Sequence, residues 1–488
     1  MKGTKRTVVY LISLLIILGF WMIPAPAGMS ASGMQVLGIL LGVLLLWLTE
    51  SIDWPSYLCL AGLTLVPELK MGSILSSSFG NSTFAFLLFT FMCTYAVGQT
   101  SFVKRCAIGF ITNRLASKGS WWFITVYCLS VLLIGMVMSP VVLFVIYMPI
   151  LNSVCSELKL EKSDKLANTL ILGTLFSCAI SCGMTPISHT FPVMALGFYN
   201  QMSGSTISYA HYMAEAIPVG LISFVAMLAI FRFILRPDTA KLRELNAENL
   251  KADLKPMEKR EKWIVGIFFA VVVAWVMPEF LKGVLPGVAS FFSARGTTFP
   301  PMIGAIAMFM ISIDGKPLLN FKEAMSKGVQ WGGLVMAAAT LAIGSAMTNA
   351  DIGLTAWLSG AIEPVLTGLD PVLIVLVFAV WTYIMTNACS NMVTVTVVCA
   401  VALPICLASG GALNAASMAA MIGMGASYAF VLPPAHPNVA LAIGTGWTNT
   451  SQVVKYGLPL MVIALLAAAF VGYPIGSALM LYLSLIHI

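Results

Sequence analysis

Charge is what this sequence is short of. Asp, Glu, Lys and Arg make up 9% of its 488 residues, against about a quarter in a soluble domain. Hydrophobic residues reach 59% and the mean hydropathy is +0.95, which excludes an ordinary soluble fold. Chemistry-bearing motifs are missing as well. There is no HExxH, no pair of intramembrane Asp and no GxSxG elbow, so an intramembrane enzyme is not expected. No nucleotide-binding loop occurs, so ATP is not the energy source, and no cofactor is expected. The ten Cys are scattered through apolar runs without metal spacing and read as small packing residues. The pI near 8.8 does not imply nucleic acid, because the basic residues sit in short loops.

What is present is a succession of apolar runs, too long for the roughly ten-residue alternating strands of a membrane barrel. They cover residues 7–24, 34–49, 54–67 and 80–103, then a bipartite 120–155, then 166–200 and 212–235. After a polar stretch come 263–281, 298–313 and 331–360, a second bipartite 371–408, then 414–446 and 453–482. The run at 54–67 is short for a span. Lys2, Lys5 and Arg6 before the first run could mark a signal peptide, but Pro24–Gly28 is a poor cleavage site, and an uncleaved first helix is expected.

Charge sets the orientation. With the N-terminus inside and each bipartite segment returning to its side of origin, only Lys70, Lys282 and Arg295 of the 26 Lys and Arg fall outside. This is the positive-inside pattern of a multi-pass cytoplasmic-membrane protein with its C-terminus outside. Two complete spans would preserve parity as well as a re-entrant hairpin. The second bipartite segment, divided at Thr386–Asn391, leaves arms of about 15 and 17 residues, short of the ~20 a span needs, and favours hairpins.

Two helices are broken. Ser427–Gly444 carries Pro433, Pro434 and Pro437, with His436 and Asn438 at the break, and Gly183–Gly197 is a weaker copy around Thr185, Ser188 and His189. Freed backbone in a bilayer survives only where it lines a cavity or binds something. The chain therefore divides into an N-terminal helix (1–33), a first repeat (34–236, hairpin 120–155, broken helix 166–200) and a cytoplasmic linker (237–262). A second repeat (263–482, hairpin 371–408, broken helix 414–446) and a tail (483–488) follow. The linker reads as a solvated tether or a segment on the headgroups. By the charge layout the first hairpin enters from inside and the second from outside, so the repeats are inverted and their tips should meet near the midplane.

Nearly the whole chain resembles the divalent anion/sodium symporter family, the transporters of dicarboxylates, citrate and sulfate. Asn81–Arg105, Trp331–Leu334, Ser390–Met392, Ala426–Pro433 and Ala435–Asn438 carry the resemblance. It implies a polytopic all-α protein of about eleven spans plus two re-entrant hairpins, a homodimer working by elevator movement, with Na⁺ as coupling ion. The family's Ser-Asn-Thr hairpin tips are reduced here to Ser139-Pro140-Val141 and Ser390-Asn391-Met392. His189 and His436 stand where the family usually has Ser or Thr.

The expected function is Na⁺-coupled symport of a small anion such as a di- or tricarboxylate. The alternatives are a proton-coupled or exchange transporter of sulfate or an arsenite-like oxyanion, or a Na⁺/H⁺ antiporter, although the broken helices hold no Asp or Glu. Substrate candidates are Ser139, Ser390, Asn391, Thr185, His189, His436, Pro437 and Asn438. Sodium candidates are Ser139, Ser188, Thr386, Asn391 and Ala435, as hydroxyl, amide or backbone oxygens. Helix N-termini restarting after Pro192 and Pro437 suit an anion without a buried Lys or Arg. For Ser139 a plain helix cap is as good a reading as a ligand. The matched His pair reads either as packing residues or as substrate contacts that could take part in proton coupling. Asp53, Glu215 and Asp351 are placed at or near helix ends, interfacial or solvated, outside any relay.

Overall fold

The computed structural model describes residues 3–245, 256–281, 283–354, 357, 360, 369–433 and 435–484. The chain is a polytopic helical membrane protein. Among these residues nine helices are long and apolar enough to cross a bilayer, or ten if Met71–Ser77 and Ser82–Gly98, bent by 44°, form one span. Three of the nine, Pro140–Glu157, Pro371–Ala388 and Asn391–Ala408, are arms of the bipartite segments, and several of the expected spans are short elements. Trp54–Leu63 is a ten-residue helix and Phe299–Met310 a twelve-residue one. The described sheet is a minimal hairpin pairing Ser312–Ile313 with Lys316–Pro317. Its turn residues Asp314 and Gly315 have φ of 54° and 75°, which an Asp-Gly pair adopts readily.

In chain order the helices are α1 (Gly3–Gly19), α2 (Ala31–Thr49), α3 (Trp54–Leu63), α4 (Met71–Ser77), α5 (Ser82–Gly98) and α6 (Phe102–Ile111). The first hairpin is α7 (Ser120–Gly135) and α8 (Pro140–Glu157), and the first broken helix is α9 (Lys165–Met184) and α10 (Thr190–Ser203). After α11 (Tyr209–Ile230) come α12 (Lys259–Leu281), α13 (Pro286–Arg295), α14 (Phe299–Met310) and α15 (Trp331–Thr348). The second hairpin is α16 (Pro371–Ala388) and α17 (Asn391–Ala408), and the second broken helix α18 (Ala415–Ser427) and α19 (Pro437–Gly444). The chain closes with α20 (Thr450–Ala467) and α21 (Tyr473–Ser484).

Helix α9 is buried along its whole apolar length, whereas only 11% of the α1 window is, so α9 is central and α1 peripheral. Around α9 pack α7, α8, α11 and α18, and α10 packs on α17, α18 and α15. The α10–α18 crossing is close because Gly423 lacks a side chain. A Cβ there would lie 2.9 Å from both Ala195 Cβ and Pro192 Cα, inside carbon contact distance.

Several expectations need correction. Both arms of the second hairpin run 18 residues, because the polar tip residues Thr386 and Asn387 still belong to α16 and Asn391 already starts α17. Arm length therefore does not separate a hairpin from two spans. Lys104 and Arg105 lie on α6, an amphipathic helix, and not in a loop. The restart after the first break comes at Thr190, ahead of Pro192. Glu215 is not at a helix end: α11 begins at Tyr209, and Glu215 is fully buried against α18 and α21. Its Oε2 accepts from Ser417 Oγ at 2.7 Å, and among the described residues its Oε1 has no hydrogen-bond partner. Asp53 and Asp351 are exposed, as expected. All ten Cys are free. Pro434, part of the linker (246–255) and 485–488 lie outside the described residues.

Candidate functional site

Both hairpin tips and both helix breaks line one cavity of about 430 Å³. Each contributes the residue just before a helix begins: Ser139 before α8, His189 before α10, Ser390 before α17 and His436 before α19. A helix N-terminus leaves N–H groups unpaired and carries partial positive charge, which suits an anion. Four such ends converge here.

A plain capping role does not account for the two serines. Ser139 and Ser390 occupy cap positions, yet neither side chain makes a cap hydrogen bond. Their hydroxyls remain available to the cavity. Asn391 is 5% exposed, lines the cavity and accepts from Thr386 Oγ1 at 3.0 Å. Ala435 and Pro437 also line it, and so does Ser188, whose Oγ is buried and has no partner among the described residues.

Three candidates lie outside the lining. Thr185 is turned away, its hydroxyl donating to Met136 O at the end of the first hairpin arm. The Thr386 hydroxyl lies 2.7 Å from Ala426 O, which ties the second hairpin to α18. Asn438 donates through Nδ2 to Pro140 O at 3.0 Å, linking the second break to the first tip, while its Oδ1 is buried and has no partner among the described residues. These side chains position the lining and do not form it.

Asn387, which sequence reasoning counted only as a polar tip residue, holds the second break together. Its Nδ2 donates to Tyr383 O at 2.9 Å and Tyr428 O at 3.0 Å. Its Oδ1 accepts from Phe430 N at 3.0 Å and Val431 N at 2.9 Å. One amide thus satisfies backbone groups that the break frees, in a region without water to do so.

The histidines are anchored through Nδ1. His189 Nδ1 lies 3.1 Å from Ser427 Oγ, and His436 Nδ1 accepts from Asn438 N at 3.1 Å. Their ring centroids are 5.9 Å apart. The opposite wall comes from α5 and the segment before α15, including Thr94, Tyr95, Lys327 and Gln330, none of which the sequence had marked. The available signal was the loop position of Lys327, which was used only for orientation. Among the described residues Lys327 is the one charged side chain in the lining. It bonds Glu323 at 3.1 Å, and Tyr95 Oη donates to the same carboxylate at 3.1 Å. The Lys327 bond first, then Tyr95, hold the Glu323 carboxyl below its ordinary range, and Glu323 in turn raises Lys327.

Residues 4–482 match the family described as the sodium:sulfate symporter transmembrane region. The chain is 24% identical over 474 residues to the sodium-dependent dicarboxylate transporter SdcS of Staphylococcus saprophyticus, covering 92% of this chain and 87% of that protein. The Staphylococcus aureus SdcS is 25% identical over 472 residues, with the same coverage. In fold it is similar to the Alcanivorax borkumensis YdaH transporter, with a TM-score of 0.58 at 12% identity, covering 91% of this chain and 97% of the other. With its whole helical length matched and its tips and breaks gathered at one cavity, the chain belongs to the sodium:sulfate symporter transmembrane family, a family of membrane transporters and not of enzymes.

Proposed function

We propose that the protein carries a small dicarboxylate-class anion across the cytoplasmic membrane together with Na⁺. The observation that carries this reading is the convergence of four helix N-termini on a cavity whose one charged lining residue is a lysine. Fixed dipoles and neutral donors compensate an anion there without a buried ion pair, whose desolvation would be costly. The cavity, about 430 Å³, lies within the range of small-molecule sites. Na⁺ wants oxygen ligands. The uncommitted Ser139 and Ser390 hydroxyls and the Ser188 Oγ, unpartnered among the described residues, provide them beside the anion. The sodium dependence and dicarboxylate substrate named for the SdcS relatives support the same assignment.

The cavity reaches solvent at Lys327, whose side chain is 67% exposed. In the charge layout this is the cytoplasmic side, so the conformation is inward-open. Alternating access then moves the hairpins and broken helices as one body against α1–α6 and α12–α15 in an elevator stroke, within a homodimer.

Purified protein in liposomes decides the matter. Uptake of succinate, citrate and sulfate is measured under an inward Na⁺ gradient, with Li⁺ or choline as replacement. Na⁺-dependent accumulation of succinate is expected. Transport indifferent to every cation would sink the symport reading, and preference for sulfate would change the substrate class.

A further inference from the structure

His436 is placed so that its hydrogen-bond partner decides its tautomer. Its Nδ1 lies 3.1 Å from the backbone N of Asn438. A backbone N–H can only donate, so Nδ1 must present a lone pair, and the proton of the neutral ring sits on Nε2. The same bond caps α19 by satisfying one of its free N–H groups. A proton added to Nδ1 would set donor against donor and uncap the helix. The ring is therefore held to one proton and one orientation. Among the described residues Nε2 has no protein partner, and the residue lines the cavity.

His189 is not fixed in this way. Its Nδ1 faces Ser427 Oγ at 3.1 Å, and that hydroxyl also lies 3.2 Å from Gly423 O. Ser427 has a single proton for two acceptors, so His189 presents either a donor or an acceptor at Nε2, according to which way the hydroxyl turns. The pair is chemically unequal: one fixed donor and one adaptable partner, 5.9 Å apart between ring centres.

Taking the chain as a Na⁺-coupled anion transporter, we infer that His436 is a fixed, uncharged Nε2–H donor that sets specificity by binding one oxygen of the anion, and that it does not carry a coupling proton. A Ser or Thr hydroxyl at this position would rotate and could both donate and accept. The capped imidazole only donates. It selects for an ionised carboxylate or sulfate oxygen and against a protonated carboxyl or an amide N–H directed at the same point. The other titratable groups lining the cavity are His189, Tyr95 and Lys327, and any pH dependence of binding falls to these and to the carboxyls of the anion itself.

The test compares wild type with His436→Asn and His436→Thr in the liposome uptake assay. Both variants keep a side-chain oxygen able to cap Asn438 N, and neither reproduces the ring N–H. Their thermal midpoints should match wild type. The KM for succinate should rise roughly tenfold or more, the loss expected for a hydrogen bond to a charged group, with a smaller change in kcat. Between pH 6 and 8 the pH profiles of variant and wild type should run parallel. Difference spectra of ¹⁵N-histidine protein, wild type minus His436→Asn, should show a neutral Nε2–H imidazole. A wild-type KM in both variants, a wild-type pH limb that they lack, or an Nδ1–H or doubly protonated ring would overturn the inference. Loss of Na⁺ dependence in the wild type would instead overturn the parent function, leaving the spectra to decide the tautomer.

Discussion

Replacing Asn387 by Leu removes a side chain of similar size whose four hydrogen bonds are all made inside the protein. Three of the partners, Tyr428 O, Phe430 N and Val431 N, belong to the unwound backbone after α18. The Asn387 side chain is 4% exposed, so water does not replace it. Each buried group left unpaired costs about 1–3 kcal/mol, which gives roughly 3–9 kcal/mol for the three. Hydrogen bonds measured within membrane proteins lie lower, about 0.6–1.7 kcal/mol each, so the expected loss is near the bottom of that range, about 3 kcal/mol. That is a large fraction of the stability of a typical domain. The assay is thermal unfolding in detergent by tryptophan fluorescence, paired with Na⁺-driven uptake. Asn387→Leu should melt well below wild type and lose transport. A Leu variant with the wild-type midpoint and full uptake would refute the claim that this amide supports the break.

Further outcomes follow from the same geometry. Ser139→Ala and Ser390→Ala, which remove uncommitted hydroxyls from the cavity, should each raise the KM for anion or Na⁺ about tenfold to a hundredfold with unchanged melting. Lower thermal stability at unaltered KM would return them to a structural role. Gly423→Leu forces a side chain between Ala195 and Pro192. It should cost at least the ~1–3 kcal/mol typical of overpacking, read as a lower midpoint and lost uptake. Asp164 accepts from Glu161 N at 3.0 Å and Lys241 Nζ at 3.2 Å, and these bonds, the backbone one first, depress its carboxyl. A depressed folded-state pKa stabilises fully above the unfolded value, about 3.9, and the contribution is lost as pH falls through the folded value. Asp164→Asn should therefore melt lower than wild type at pH 7, and the gap should close below about pH 4.

Much of the fold was legible because membranes constrain backbone so strongly. Prolines with polar residues inside apolar runs marked both breaks, where the structure interrupts α9–α10 and α18–α19. Less legible was the division of labour among the polar residues. Thr386, Asn387, Ser390 and Asn391 form one polar cluster in sequence, yet the first two hold the neighbouring broken helix and the last two face the cavity. That division depends on α18 lying alongside α16, which no local pattern encodes. Thr185 and Asn438 were chosen as ligands because they sit at breaks. Their side chains instead reach across to Met136 and Pro140 of the first hairpin. Glu215 was misplaced for the same reason, since its partner Ser417 lies 202 residues away.

The central claim is that one anion sits among the N-terminal ends of α8, α10, α17 and α19. Cryo-electron microscopy of the protein in nanodiscs with sodium succinate tests it most directly. Density for the anion is predicted between Ser139, Ser390, His189 and His436, with Na⁺ beside the hairpin tips, and it should vanish when choline replaces Na⁺. Succinate density outside this cavity, or held there in the absence of Na⁺, would contradict the account.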